Sequence, residues 1–299
     1  MGEVALSLRW AGSCRHPEAM VLKGASWRPA LFPALFGILR HPRHGVTLFD
    51  TGYSARFQRA TEPFPQRLYR WLTPVRVALG DSAAEQLLRA GIAPESVARI
   101  VLSHFHADHI AGARDFPNAR FVASRAAWDA VRGRGTIRST ALGFLPRLLP
   151  DDFEARATLL EAYEFRTPGI GQFETSHDLF GDGSVRLIPL PGHARGQLGL
   201  LAQTAGRRRF LVADAAWTTA SFRDCRPPHR LAGLIFDDAA ETRRTLHRLH
   251  ALSISEPELD IIPSHCAHKM IVEAVPPSAR HGEPARDADH LAGDEGGVV

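Results

Sequence analysis

One short polar segment carries metal-ligand side chains at a spacing that suits a metal site. His104, His106, Asp108 and His109 fall within six positions, directly after the apolar run 99–102, which is typical of a buried strand. A loop at the end of a strand is held by a rigid sheet, so its side chains can converge on one point. Imidazole and carboxylate groups are ligands for zinc, and also for iron or manganese.

The spacing within this segment allows one turn to serve two metal ions. His104 and His106 are two positions apart, so in an extended segment their side chains project the same way. Asp108 and His109 follow where the chain turns, and can face a second ion. The opposing interpretation is a surface loop with four unrelated polar residues. With 15 His in 299 residues, three His and one Asp at this spacing would seldom arise by chance.

The hexapeptide His104-Phe105-His106-Ala107-Asp108-His109 has the pattern HxHxDH, and it resembles the signature of the metallo-β-lactamase-fold metallo-hydrolases. The other parts of that pattern follow in order, each after an apolar run, over roughly residues 45 to 266. They are Asp50-Thr51-Gly52 upstream and Gly192-His193, Asp214 and His265 downstream. Within the superfamily the sequence most resembles the N-acyl-homoserine lactonase branch.

The resemblance implies an α/β fold, a four-layer αββα sandwich of two mixed β-sheets with outer helices. It implies one metallo-β-lactamase-like hydrolase domain over residues 1–275, whose two halves meet near residue 175. Residues 276–299 are rich in Pro, Gly, Asp and His, so we expect a disordered tail there.

The resemblance also implies which side chains hold two Zn²⁺ ions, with iron or manganese as alternatives. The implied ligands are His104, His106 and His193 for the first ion, Asp108, His109 and His265 for the second, and Asp214 as the bridge. An anionic bridge relieves the repulsion of two dications, and a hydroxide between them is a nucleophile near neutral pH. Asp108 and Asp214 are the expected catalytic residues. Asp50 is expected to orient a ligand imidazole or to cap its own turn.

The implied reaction is attack of the metal-bridging hydroxide on the carbonyl of a lactone or other carboxylic ester. Lactonases of this branch place a Tyr three residues after the bridging Asp, where this chain has Trp217. Tyr53 and Arg195 are candidates to replace that Tyr. Cys266, next to the last ligand, is either a further ligand or a small core residue.

Two other activities within the superfamily stay open. A thioesterase of the glyoxalase II type shares all seven ligands, but carries a helical glutathione-binding region after the last His, where only 34 residues remain here. A mononuclear iron dioxygenase of the persulfide type shares part of the ligand set. Nuclease members usually have further domains for holding RNA or DNA, and the sequence patterns here indicate none, so no nucleic-acid partner is expected.

Composition agrees with a globular enzyme acting on a small molecule. The net charge is only +4, and nearly all the positive charge is Arg, so the pI near 9.3 carries little weight. Three cysteines are too few for a disulfide framework and favour the cytoplasm. The apolar segment 30–39 is too short to span a bilayer, which excludes stable membrane insertion. Aromatic insertions suggest an apolar part in the substrate, while the oligomeric state stays open.

Hydrophobic patterns predict the elements that position these residues. Strands are expected at 3–10, 45–49, 99–102, 120–123, 185–190, 198–201, 209–213 and 259–262, and helices at 82–91, 124–131 and from 237 to about 252. Residues 53–80 and 133–180 lack a clean period, so we expect insertions over the site, the second one mobile. Segment 30–39 is expected to line the substrate pocket, to touch a membrane or to form an edge of the core.

Overall fold

The computed structural model describes residues 3–266. The expected tail at 276–299, and residues 267–275 of the expected domain, lie outside this range. The strands are β1 (Ala5–Pro17), β2 (Pro29–His41), β3 (Gly45–Phe49), β4 (Val75–Arg76), β5 (Val97–Val101), β6 (Arg120–Ser124), β7 (Ala157–Leu160), β8 (Thr167–Ile170), β9 (Phe173–Asp178), β10 (Val185–Pro189), β11 (Leu198–Thr204), β12 (Arg207–Ala213) and β13 (Asp260–Pro263). The helices are α1 (Glu18–Val21), α2 (Arg56–Ala60), α3 (Gln66–Leu72), α4 (Ala83–Arg89), α5 (Ala107–Ile110), α6 (Arg125–Val131), α7 (Thr136–Ala141), α8 (Phe153–Arg156), α9 (Thr219–Arg223) and α10 (Ala239–Ser255).

The strands form two mixed sheets. The first has seven strands in the order β4-β1-β2-β3-β5-β6-β7, with parallel pairing from β3 through β7. The second has six strands in the order β13-β12-β11-β10-β9-β8, and only β12 and β13 pair in parallel. Each sheet therefore has neighbouring strands whose carboxyl ends meet at one edge, the arrangement that brings loop side chains together.

Three hydrophobic layers hold the sheets and helices together. Leu8, Leu39 and Val101 of the first sheet pack with Leu200 and Leu211 of the second in one buried cluster, so the sheets lie face to face. A second cluster covers the outer face of the first sheet with residues of α4 and α6. A third packs α9 and α10 on the outer face of the second sheet. The predicted αββα sandwich is confirmed.

Most predicted elements are present close to their expected bounds. The capping box of α4 forms, since Ser82 Oγ accepts from the Glu85 backbone N–H while the Glu85 carboxylate accepts from that of Ser82. Asp238 caps α10 by accepting from the backbone N–H groups of Ala240 and Glu241. Ser124 precedes α6 as predicted, but its side chain makes no capping hydrogen bond.

The segment 30–39 forms a strand that the hydrophobic patterns did not predict, and its Phe32 lines a cavity, which is the first of the three roles expected for this segment. It is the middle of β2, a buried strand between β1 and β3, rather than an edge of the core. The sequence patterns did not predict this strand because it contains Pro33 and Gly37, and both residue types are rare in central strands. Pro33 lies beside the bulge in β1, where the pairing register shifts. Gly37 lies where a Cβ would press on Leu211 of the opposite sheet, so close sheet packing explains the glycine.

The segment 133–180 is more regular than predicted. It contains α7, α8 and three strands, of which β7 extends the first sheet and β8 and β9 extend the second. All three strands have only four to six residues, and β8 also contains Pro168 and Gly169, so their alternation is hard to recognise in the sequence. No helix within residues 3–266 is long and apolar enough to cross a membrane.

Candidate metal centre

The loop after β5 places the first four predicted ligands. β5 ends at Val101, and the one-turn helix α5 starts directly after His106. Asp108 and His109 therefore sit on a helical turn, while His104 and His106 precede it on extended chain. The change from extended to helical backbone aims the two pairs at different points, as the spacing predicted.

The remaining three predicted ligands come from the second sheet. His193 follows β10, Asp214 follows β12 and His265 follows β13, each within four residues of the strand end. Ala213 has a positive φ of 47°, a conformation that non-glycine residues adopt at a cost. The backbone at this edge is thus held in an uncommon shape directly before the predicted bridging carboxylate.

The structure brings all seven predicted ligands together as two groups that share one residue. Within each group the candidate ligand atoms lie within 4.8 Å of one another, and all the residues are buried. The groups are His104, His106, His193 and Asp214, and Asp108, His109, Asp214 and His265. The seven residues are divided between the two groups in the same way as the resemblance implied.

Asp214 lies between the two groups and faces both. Its Oδ2 is 3.2 Å from His193 Nε2, and its Oδ1 is 3.3 Å from both His109 Nε2 and His265 Nε2. In the second group Asp108 Oδ2 is 3.4 Å from each of the same two imidazole nitrogens. One carboxylate oxygen is therefore available to each of two ions.

Several of these polar atoms have no hydrogen-bond partner although they are buried. They include His104 Nε2, His109 Nε2 and Asp214 Oδ1. An unpartnered buried polar atom costs free energy, so such a concentration at one point needs an explanation. A divalent cation in each group would satisfy them, because neutral imidazole and ionised carboxylate are ligand groups with a free lone pair. The donor set fits two metal ions.

Hydrogen bonds on the far side of two imidazoles fix which nitrogen faces the centre. His265 Nδ1 is 2.8 Å from the Pro33 carbonyl oxygen, which only accepts, so Nδ1 carries the proton. His109 Nδ1 is 2.8 Å from Asp50 Oδ2 in the same relation. The Nε2 atom of each ring is then the nitrogen that faces the centre.

Asp50 is expected from sequence either to orient an imidazole or to cap a turn, and it contacts the imidazole. Its carboxylate also accepts from the backbone N–H and the hydroxyl of Ser103, both at 2.8 Å. The side chain is fully buried and its φ is +60°, so the fold imposes this position. The Thr51 hydroxyl, rather than Asp50, bonds across the turn to the His109 carbonyl.

Electrostatics keeps the carboxylates ionised. Burial raises the pKa of Asp214, but the imidazoles of His265, His109 and His193 outweigh it and hold the pKa well below its usual value. Burial likewise raises the pKa of Asp108, while His109 and His265 lower it to about 2. Burial lowers the pKa of His193 to about 3. At neutral pH the site offers two anionic carboxylates and a neutral His193.

The three candidates for the lactonase Tyr lie in different places. Trp217 Nε1 donates to Asp214 Oδ2 at 2.9 Å, and the Trp217 indole lines the cavity above the ligands. Tyr53 lines the same cavity but is 1% exposed. Arg195 is outside it and pairs with Asp237. Sequence reasoning named Trp217 as a substitution, but the contact of its N–H with the carboxylate could not be read from the chain.

Cys266 is buried and belongs to neither ligand group. Its Sγ is 3.1 Å from the Thr219 hydroxyl, which joins the end of β13 to α9. The three cysteines are unpaired, in accord with the prediction that they form no disulfide framework.

A cavity of about 410 Å³ opens directly onto the ligands. Its walls are mainly apolar, and they come from α1, β1, β2, the two segments that sequence analysis assigned to insertions over the site, and residues near Ile235. The wall residues include Cys14, Val21, Phe32, Pro65, Leu68, Tyr69, Leu72, Ile137, Ala141 and Ile235. His106, Asp108, His193, Asp214 and His265 form its floor. An apolar cavity over convergent polar groups is the usual form of a small-molecule site.

Comparison with known proteins gives the same assignment. The family model of the metallo-beta-lactamase superfamily matches residues 32–265. The chain belongs to the metallo-beta-lactamase superfamily. The resemblance to the lactonase branch is confirmed by the relatives found.

Three proteins of this superfamily illustrate the similarity. A probable metallo-hydrolase of Mycobacterium bovis is 32% identical over 174 residues, which are 58% of this chain and 53% of that protein, so the match spans about half its length. An N-acyl homoserine lactonase of Rhizobium johnstonii is 25% identical over 74% of this chain and 77% of its own. The structure of a dizinc quorum-quenching lactonase in complex with its product N-hexanoyl-L-homoserine has a TM-score of 0.63, with 16% identity and 89% of each chain covered.

Proposed function

We propose that this protein is a metal-dependent hydrolase with a dinuclear zinc centre, and that it hydrolyses a lactone or another carboxylic ester with an apolar acyl part. The observation that supports it best is the pair of buried ligand groups sharing Asp214 at the floor of an apolar cavity. The relatives that are lactonases add support for the ester class.

We propose that His104, His106 and His193 hold one ion, that Asp108, His109 and His265 hold the other, and that Asp214 bridges them. When bound, the ions would supply a hydroxide nucleophile near neutral pH and polarise the substrate carbonyl. Zinc suits this set because it accepts imidazole nitrogen and carboxylate oxygen in sites of low coordination number.

The side chains of the protein orient this centre and its substrate. Asp50 and the Pro33 carbonyl fix the rings of His109 and His265, and Trp217 fixes one oxygen of the bridging carboxylate. We propose Asp108 and Asp214 as the catalytic residues, since both carboxylates face the cavity and would hold the ions that supply the nucleophile.

The substrate proposed is a small molecule, because the cavity of about 410 Å³ is within the range of small-ligand sites. Its acyl chain would lie against Phe32, Leu68 and Tyr69, where it leaves water. A cytoplasmic location is proposed from the three unpaired cysteines.

The test is metal content combined with a turnover screen of lactones, aryl esters, thioesters and β-lactams. About two zinc ions per chain with lactone or ester turnover are expected. One iron per chain with oxygen uptake would favour the persulfide-type dioxygenase instead, and thioester turnover alone would favour the glyoxalase II type. Asp214→Ala should lose both ions and the activity. If the variant kept its full metal content, Asp214 would not be the bridge.

A further inference from the structure

The mouth of the apolar cavity is surrounded by exposed hydrophobic side chains. Residues 63–72, 132–142 and 230–236 each contribute to the cavity lining, so they meet around one opening, and α3 packs against α7 there. We call these three segments the collar. Fifteen large hydrophobic side chains are exposed among residues 3–266, and nine of them lie in the collar. Segment 63–72 carries four of the nine, segment 132–142 two and segment 230–236 three. The collar is about a tenth of that range, so the clustering is pronounced.

The collar side chains project far into solvent. Leu72 is 76% exposed, Ile137 74% and Leu234 81%, while Phe64 and Trp71 are 73% and 67% exposed. Single exposed apolar residues are ordinary on a protein surface, but a contiguous group around the mouth of a cavity marks an interaction site.

The charged side chains of the collar are all positive. The three segments contain six arginines and no Asp or Glu, whereas the whole chain has 36 basic and 32 acidic residues. Among the described residues no carboxylate pairs with Arg67, Arg70 or Arg138, and Arg132 pairs with Asp129 at 3.5 Å. Glu62 directly precedes the collar, and Arg67 Nε donates to its backbone carbonyl rather than to its carboxylate. Arginines interspersed with Trp, Phe and Leu are typical of surfaces that bind anionic lipid.

The acidic residues that follow the collar do not neutralise it. Asp237 pairs with Arg195, and the Asp238 carboxylate accepts the backbone N–H groups at the start of α10. The collar therefore keeps its positive charge next to its exposed apolar side chains.

We propose that the collar docks on an anionic phospholipid surface, with the cavity opening toward the lipid. Charge decides between this partner and a second copy of the chain. In a symmetric dimer the collar would face an identical collar, which places arginines against arginines with no acidic partner. An anionic bilayer supplies both the negative charge and the apolar layer that the collar side chains require.

Docking in this orientation would connect the bilayer with the active site. Leu68, Leu72, Ile137 and Ile235 belong both to the collar and to the cavity wall. An apolar molecule dissolved in the lipid could therefore reach the ligand floor along a continuous apolar surface. The docking itself does not depend on which ester is hydrolysed.

The experiment measures co-sedimentation of the zinc-loaded full chain with vesicles, without substrate. One set of vesicles is phosphatidylcholine alone, and the other contains roughly a quarter phosphatidylglycerol. We expect a partition coefficient about tenfold higher on the anionic vesicles, and its loss in about 0.5 M salt. Equal binding to both sets of vesicles, or none to either, would overturn the proposal. Because no substrate is present, this result is independent of the hydrolysis screen.

Two pairs of variants separate the apolar and the charged contribution. Phe64→Ser with Trp71→Ser, neither lining the cavity, should lower the partition coefficient about tenfold. The control pair Leu88→Ser and Ile254→Ser, of similar exposure on α4 and α10, should leave it unchanged. Arg67→Glu with Arg138→Glu should abolish binding to anionic vesicles, while Arg207→Glu with Arg120→Glu on other surfaces should not.

Folding of each variant is checked by circular dichroism and Tm, and the salt dependence of the unmodified protein tests the proposal without any variant. Collar variants that bind vesicles as the unmodified protein does would contradict it. Light scattering tests whether the collar instead binds a second copy of the chain. A dimer that the collar variants dissociate, together with absent vesicle binding, would identify the collar as a self-association surface and refute lipid docking.

Discussion

The carboxylate proposed as the bridge is held by a residue that differs from the lactonase pattern. Trp217 Nε1 donates to Asp214 Oδ2 at 2.9 Å, and the indole also packs edge-on against His193 and Phe236. An indole donates one hydrogen bond and accepts none, so it orients the carboxylate but cannot exchange a proton with a substrate as a phenol can. We infer that Trp217 positions Asp214 rather than taking part in proton transfer.

Trp217→Phe keeps an aromatic ring and removes only the N–H. A hydrogen bond to a charged group contributes about 1.5–3 kcal/mol, so we expect kcat/KM to fall by about tenfold or more, with weaker retention of metal. Steady-state kinetics and metal analysis after dialysis measure the two effects. Trp128→Phe is the matched control, because the buried Trp128 Nε1 has no hydrogen-bond partner to lose. Equal losses in both variants would show that ring packing, and not the donor, is responsible.

The start of α10 packs closely against the turn before His193, and this close approach requires a glycine at position 192. Gly192 has a φ of +126°, and a Cβ there would overlap the backbone of Thr242 in the first turn of α10. Asp237 and Asp238 donate backbone N–H groups to the carbonyls of His193 and Gly192. The helix is therefore fastened to the loop that carries a predicted ligand, which links the stability of an element with the geometry of the site.

Gly192→Ala should be costly for stability and for activity together. Strain at positive φ and overpacking add to about 3 kcal/mol of unfolding free energy, measured by urea unfolding. Gly206→Ala is the control, since Gly206 also has a positive φ, +71°, but open space around it. We expect that variant to lose about 1 kcal/mol and to keep its activity. Similar losses in both would mean that backbone strain alone governs Gly192.

At the scale of the whole molecule, the predicted ligands come from both sheets and meet at one edge. The Leu198 N–H donates to the Ser103 carbonyl and the Leu35 N–H to that of Ser264, so backbone bonds already cross between the sheets beside the site. Bound ions would add further links between the loops of both sheets, because each predicted ligand group draws on both. The metal content should therefore influence global stability as well as activity.

Removing the metal with a chelator should lower Tm by several degrees and abolish hydrolysis, because buried atoms such as His104 Nε2 and Asp214 Oδ1 then stay unpartnered. Readdition of zinc to about 100 times its Kd should restore roughly 2.7 kcal/mol of stability together with the activity. Calorimetry with parallel assays follows both. Full loss of metal with an unchanged Tm would show that the centre does not contribute to the stability of the sandwich.

Local sequence, through its patterns and the family motifs it contains, predicted most of the candidate site and much of the fold. The predicted ligands sit at strand ends that apolar runs reveal, and the α4 and α10 caps follow from residue types alone. Such features depend on a few neighbouring residues, so they can be predicted without knowledge of the rest of the molecule. The HxHxDH spacing is of the same kind, because one loop supplies four of the seven predicted ligands.

Only the tertiary structure decided what lies far apart along the chain. β2 was obscured by Pro33 and Gly37, whose place in a central strand depends on a bulge in β1 and on close packing against Leu211. The contacts of Pro33 with His265 and of Trp217 with Asp214, and the collar formed by three distant segments, have no local signal either. The physical reason is that periodicity reports which face of an element is buried, whereas the partner on that face is set by how the sheets and loops pack.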